Sequence, residues 1–172
     1  MKALCLVAHP DDCVIFGYSY IHNHPEYEWT ICYLTYTEWQ PRAQEFQKFW
    51  KCRNIITIFL GYQDDYRDIE SKKISFNEDQ ARREISSIVA NYDLLLTHDE
   101  NGDYGHLHHV FVNQATSNHP GRITFARPGC GTVKYCVEPG VYSLDELPLH
   151  REVIAGFHPI THTNEYTVCK NI

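Results

Sequence analysis

Short apolar runs alternate with amphipathic stretches along most of the chain. KALCLVA (residues 2–8), WTICYLTY (29–36), NIITIFLG (54–61) and YDLLLTH (92–98) are rich in β-branched, aromatic or leucine side chains. Bounded by polar residues, they are predicted to be buried strands. Between and after them lie four stretches predicted to be helices: VIFGYSYIHNH (14–24), PRAQEFQKFWKC (41–52), SFNEDQARREISSIVANY (75–92) and HLHHVFVNQATSN (106–118). In the second, Phe46, Phe49 and Trp50 recur at helical spacing behind Pro41. In the third, Asn77 is a suitable N-cap, and Ile85, Ile88 and Val89 share a face. RITFARPGCGTVKYCVE (122–138) predicts two short strands separated by a Pro/Gly turn. SLDELPLHREVIAGF (143–157) predicts a further helix with Pro148 near its first turns.

This alternation predicts the α/β class: a Rossmann-like, mostly parallel sheet with helices on both faces. No linker, repeat or low-complexity stretch interrupts the 172 residues, so a single domain spanning 1–172 is expected. Apolar residues make up 43% and charged residues 22%, ordinary for a globular chain. A formal net charge of −7 argues against nucleic-acid backbone binding, which relies on Lys and Arg. The first apolar run is far too short for a secretory core, and no stretch approaches a membrane span. A cytoplasmic protein without a membrane span is therefore expected; homo-oligomerisation is left open. Of seven cysteines no two form a CxxC pair, which weakens zinc-ribbon and redox readings. Cys5 and Cys32 read as core residues.

The chemistry concentrates where strands should end. Ligands of open α/β sheets bind at the carboxyl ends of the strands. AHPDD follows the first strand and THDENGDYGHLHH (97–109) follows the fourth, so the two can meet at one rim. His9 and Asp12 are three apart, as are His106 and His109. His and Asp together are zinc ligands, and three protein ligands plus an open position mark a catalytic site. HxxD plus HxxH supplies more groups than one zinc needs. The surplus, a carboxylate and an imidazole, suits amide hydrolysis: a base for water and a cation for developing charge. A polar turn after a strand explains one such cluster, but not a second on the same rim.

These segments resemble the LmbE/PIG-L family of zinc-dependent N-acetylglucosaminyl deacetylases. The likeness extends to Arg42 and Glu45 in PRAQE and to FLGYQD (59–64), in the family's order and over roughly the first two thirds of the chain. The resemblance implies an LmbE-like fold and a zinc site, one ion per chain, held by His9, Asp12 and His109; iron(II) is the alternative metal. It implies Asp11 as general base, His106 as oxyanion stabiliser or proton donor to the amine, and Tyr104 as a polariser of the acetyl carbonyl. Arg42 and Asp64 would touch the sugar or its aglycone, and the substrate would be a small N-acetylated amino sugar or glycoconjugate. His98 is either a positioning partner of the metal ligands or a packing residue. The chain departs from the usual AHPDDE by carrying Cys13, for which a packing role is expected.

Several residues have plainer readings. His108 lies off the i, i+3 face and is expected in solvent. Arg42 could pair with Glu45 or Glu38 on its helix, and Asp64 could belong to a solvated loop. His22, His24, His119, His150 and His162 are expected on the surface, and Trp29, Trp39 and Trp50 in the core. His158 has only a faint family counterpart. A non-catalytic glycan-binding protein of the same fold, or an amidase acting on a related glycoconjugate, are the alternatives to a deacetylase. A dinucleotide-binding reading lacks a GxGxxG after the first strand.

Overall fold

A computed structural model describes residues 1–125, 134–136, 140–141, 144–157, 163–164 and 167–170. In chain order these form β1 (Lys2–Val7), α1 (Tyr18–Asn23), β2 (Glu28–Thr35), α2 (Pro41–Lys51), β3 (Ile56–Tyr62), α3 (Tyr66–Ser71), α4 (Glu78–Val89) and β4 (Leu94–Thr97). There follow α5 (Gly102–Gly105), α6 (Leu107–Ala115), β5 (Arg122–Phe125), β6 (Lys134–Cys136), β7 (Gly140–Val141), α7 (Arg151–Phe157), β8 (Thr163–Asn164) and β9 (Thr167–Lys170).

Seven strands make one sheet in the order β3-β2-β1-β4-β5-β9-β6, and β7 pairs with β8 in a small second sheet. The first five are parallel; β9 runs antiparallel to both β5 and β6. Parallel strands covered on both faces read as continuous apolar runs, which is why KALCLV is buried from Ala3 onward. Ala3, Cys5 and Val7 face a core shared with Phe46, Phe49 and Trp50 of α2 and Ile154 of α7. Leu4 and Leu6 face the opposite core, with Ala81 and Ile85 of α4 and Phe111 and Val112 of α6. Helices therefore cover both faces. The strand order reverses between β1 and β4, where α/β sheets open a crevice at the strand ends.

The helices differ from expectation in three places. Residues 14–24 form a wide π-helical turn, Cys13–Gly17, before α1. The Asp11 carbonyl accepts from both the Val14 (3.0 Å) and Ile15 (2.9 Å) amides, which tightens the chain directly behind the His/Asp motif. Residues 143–157 do not form one helix. A short 3-10 turn, Leu144–Glu146, precedes Pro148, and α7 starts at Arg151; proline's ring and missing N–H disfavour a continuous helix there. The charged segment YRDIES forms α3, begun by the Asp65 side chain accepting from the Arg67 amide. The strands β5 and β6 do not pair with each other, because β9 lies between them. The Pro/Gly turn, His158 and His162 lie outside the described residues.

Candidate metal centre and cleft

The carboxyl ends of β1 and β4 deliver the two polar segments to one place. Asp12 accepts from the His9 amide at 2.7 Å, which curls the AHPDD turn so that both side chains face inward. The second segment is held by Asp99, which accepts from the amides of Asn101 (2.8 Å) and Asp103 (2.7 Å). Gly102 has φ +67°, and a β-carbon there would meet Val110 Cγ2 at 2.8 Å, so only glycine lets the loop lie against α6.

Three donor atoms converge. His9 Nδ1 lies 3.2 Å from Asp12 Oδ2 and 3.2 Å from His109 Nε2, and His109 Nε2 lies 3.2 Å from Asp12 Oδ2. Metal–donor bonds of about 2.0–2.2 Å in tetrahedral array would separate their ligands by roughly 3.3 Å. This near-equilateral triangle therefore fits one zinc-sized ion. All three residues are buried. Burial opposes a charge on His9, but Asp12 and Asp64 outweigh it and raise its imidazolium to about 10. Burial likewise pushes the Asp12 carboxyl up, yet His109 and His9 pull it well below the usual range. The pocket favours positive charge, as a cation site requires.

His98 is fully buried behind this triangle, and its ring is committed elsewhere. Its Nε2 accepts from the Ala8 amide at 2.9 Å, and its Nδ1 faces the Asp103 carboxylate at short range. The lone pair of Nε2 is thus engaged by a main-chain donor, although that atom lies 3.5 Å from Asp12 Oδ2. Both ring nitrogens of His98 thus have partners outside the triangle. The same Asp103 oxygen accepts from His109 Nδ1 at 2.9 Å. A histidine whose other nitrogen donates to a carboxylate is the usual arrangement of a metal ligand.

In front of the triangle lies a cleft of about 320 Å³ lined by His9, Asp11, Asp12, Tyr36, Arg42 and Asp64, with Tyr66, Tyr104 and His106 at its walls. Asp11 is partly exposed there, its carboxyl pushed up by burial and by neighbouring Asp12. His106 is the N-cap of α6; its Nδ1 accepts from the His108 amide at 3.3 Å, leaving Nε2 as its other nitrogen. Burial and the charges of His9 and His109 push its imidazolium down to about 3, and with Nδ1 accepting, the neutral ring carries its N–H on Nε2. Burial also raises the Tyr104 phenol far above its ordinary range, keeping its proton. Asp64 stands 3.5 Å from His9 Nε2. Burial alone would raise the Asp64 carboxyl; hydrogen bonding and charge from His9 bring it below its ordinary value.

Four expectations need correction. His108 is buried, not solvent-facing: its Nε2 bonds Asp68 Oδ2 at 3.0 Å, and Asp68 is fixed in turn by the Ser75 amide at 3.0 Å. His150 is also buried, not on the surface. Its Nε2 accepts from Arg42 Nε at 2.9 Å, and its Nδ1 meets Glu45 at short range. Arg42 therefore pairs with neither Glu45 nor Glu38 but reaches His150 and the Tyr36 hydroxyl (3.2 Å). Trp39 is 77% exposed and belongs to no core, unlike buried Trp29 and Trp50. Cys13 does pack: its sulfur sits 3.1 Å from the Tyr33 hydroxyl and 3.3 Å from Trp50 Nε1. Asp68, Asp103 and Tyr36 escaped the sequence reading. The acidic DENGD run hinted at Asp103; nothing local marked the others.

A larger cavity of about 870 Å³ opens at the amino ends of β2 and β3, beside Trp29, Arg53 and Ile55. It lies at the opposite end of the strands from the His/Asp cluster.

A mostly parallel sheet with a His/Asp triangle at its switch point defines a class of protein, and comparison with known proteins gives it a family. Residues 4–119 match the family described as PIG-L: GlcNAc-PI de-N-acetylase. The chain belongs to that family. It is 26% identical over 140 residues to uncharacterized protein L374 of Acanthamoeba polyphaga mimivirus, a match covering 71% of this chain and 60% of that protein. Among solved structures it superposes on GalB, the 4-carboxy-2-hydroxymuconate hydratase of Pseudomonas putida KT2440, with a TM-score of 0.62 and 12% identity. That match covers 99% of this chain and 96% of GalB. It also superposes on a deacetylase–teicoplanin complex of teicoplanin biosynthesis, with a TM-score of 0.55 and 10% identity over 100% of both chains. These likenesses establish the fold. Among the described residues, no helix is long and apolar enough to cross a membrane.

Proposed function

We propose that the protein is a metal-dependent hydrolase that removes the N-acetyl group from an N-acetylglucosamine-containing substrate. The observation that carries this reading is the 3.2 Å triangle of His9, Asp12 and His109 with Asp11 beside it on the open side. A zinc ion bound there would supply Lewis acidity, enough to bring a water's pKa to about 7 and to polarise an amide carbonyl. A closed structural site would use four protein ligands and need no spare carboxylate.

Asp11, adjacent in sequence to a ligand but directed to the cleft, takes the proton of the attacking water. Its upward-shifted carboxyl makes it a stronger base than an exposed aspartate. His106 and the Tyr104 hydroxyl donate hydrogen bonds to the oxygen that gains charge as the amide carbon becomes tetrahedral. The proton held by Asp11 then passes to the departing amine, so acetate and a free amino sugar leave. Arg42 and Asp64, both lining the cleft, bind sugar hydroxyls, and Arg42 is held for that role by His150 and Tyr36.

The test is appearance of free amine and acetate from a panel of N-acetylglucosamine conjugates, comparing zinc-loaded wild type with Asp11→Asn. Wild type is expected to deacetylate at least one conjugate. The variant should keep its zinc and lose about 10²–10⁴-fold in rate, the range of a general base. Equal rates in both proteins would remove Asp11 from the chemistry. Zinc retention with no acetate from any conjugate would favour the glycan-binding alternative.

A further inference from the structure

His9 presents a second nitrogen to a second set of donors. Its Nε2 lies 3.3 Å from His108 Nδ1 and 3.5 Å from Asp64 Oδ1, and His108 Nδ1 lies 3.7 Å from that same oxygen. The three atoms lie close to the spacing that adjacent ligands adopt around one first-row divalent ion, roughly 3.3 Å. We propose that this cluster is a second divalent-metal site, joined to the first through the His9 imidazole.

The surroundings of His108 separate this from a chance contact. Its Nε2 donates to Asp68 at 3.0 Å, so in the neutral ring Nδ1 carries a lone pair, directed at the cluster. Asp68 accepts further bonds from the Ser75 amide (3.0 Å) and hydroxyl (3.2 Å), which fix the carboxylate and through it the ring. A histidine pre-oriented by a buried carboxylate is how metal ligands are held. His109 and Asp103 repeat that arrangement at the first triangle. Asp64, a third exposed at its side chain, opens the second site to the cleft, where water would complete the coordination.

With one ion on His9 Nδ1, the Nε2–H donates to His108 or Asp64. A second ion replaces that proton: the N–H bond breaks, Nε2 gives its electron pair to the incoming ion, and one proton goes to solvent. Asp64 and His108 contribute as carboxylate and neutral imidazole. Deprotonating an imidazole makes the second ion the weaker of the two. The proposal rests on the metal centre proposed above, because His9 serves both sites.

Chelator-stripped protein titrated with zinc alone, with bound ions counted after rapid desalting and by calorimetry, tests it. Wild type is expected to take two ions per chain in two separated steps. Asp64→Ala, at a partly exposed position, and His108→Ala should each keep the first step and weaken the second by more than about tenfold. One ion in wild type would overturn the second site and leave the first standing. No ion would overturn both. A second step unchanged in either variant would place that ion elsewhere and overturn the proposal.

Discussion

Asp103 has φ +61°, a region that costs a side-chain-bearing residue roughly 1 kcal/mol or more. What it gains is a carboxylate that receives both His98 Nδ1 and His109 Nδ1 from behind the candidate metal centre. Asp103→Asn keeps the shape but turns one acceptor into a donor, which must face either the two imidazole N–H groups or the Asp99 amide, and it removes the negative charge behind His109. Zinc affinity is expected to fall about 10–100-fold, read by competition with a chelating dye, with the far-ultraviolet spectrum unchanged. Unchanged affinity would show that His109 needs no such partner. At this scale the sequence was partly transparent. His9, Asp12, His106 and His109 could be placed on one rim because spacing and strand-end position are local properties; the choice of three ligands among them came only from the family resemblance. His108 could not be placed. With His106 an extended N-cap outside the helix, periodicity counted from it misplaces the face on which His108 falls. His150 was hidden for another reason: its partners, Arg42 and Glu45, are more than one hundred residues away in sequence.

The helix α2 shows how an element serves the cleft. Ala43, Phe46, Phe49 and Trp50 bury one side, as the apolar stripe predicted. Glu45, with its side chain only 6% exposed, accepts from the Leu149 amide at 2.7 Å and from His150, tying α2 to the start of α7. Arg42, one turn earlier, leans on the same His150. Glu45→Ala would leave buried His150 without its acceptor, worth about 1–3 kcal/mol, while solvent can take over the exposed Leu149 amide. A loss of about 1–3 kcal/mol in urea unfolding is expected, with a raised KM as Arg42 loses its support. Loss below about 0.5 kcal/mol would mean that solvent replaces the carboxylate. Long strands and helices were legible because burial on both sheet faces writes itself into continuous apolar runs. The π-helical turn and α3 were not. The first carries no periodicity of its own over its five residues, and the second depends on the cap of Asp65 and the packing of Asp68.

For the whole molecule, the parallel order β3-β2-β1-β4-β5 brings the ends of β1 and β4 together, and the chemistry follows from that adjacency. The fold does not choose the reaction. A hydratase and a deacetylase both superpose on this chain, so the argument for hydrolysis lies in side chains: an ion-sized triangle, a carboxylate beside it and N–H and O–H donors facing the same cleft. The most direct measurement is anomalous diffraction at the zinc edge from crystals grown with one equivalent of zinc. The strongest peak is expected among His9 Nδ1, Asp12 Oδ2 and His109 Nε2, with Asp11 facing it across the cleft. A principal peak away from those three atoms, or none, would contradict the metal centre on which the proposed reaction depends.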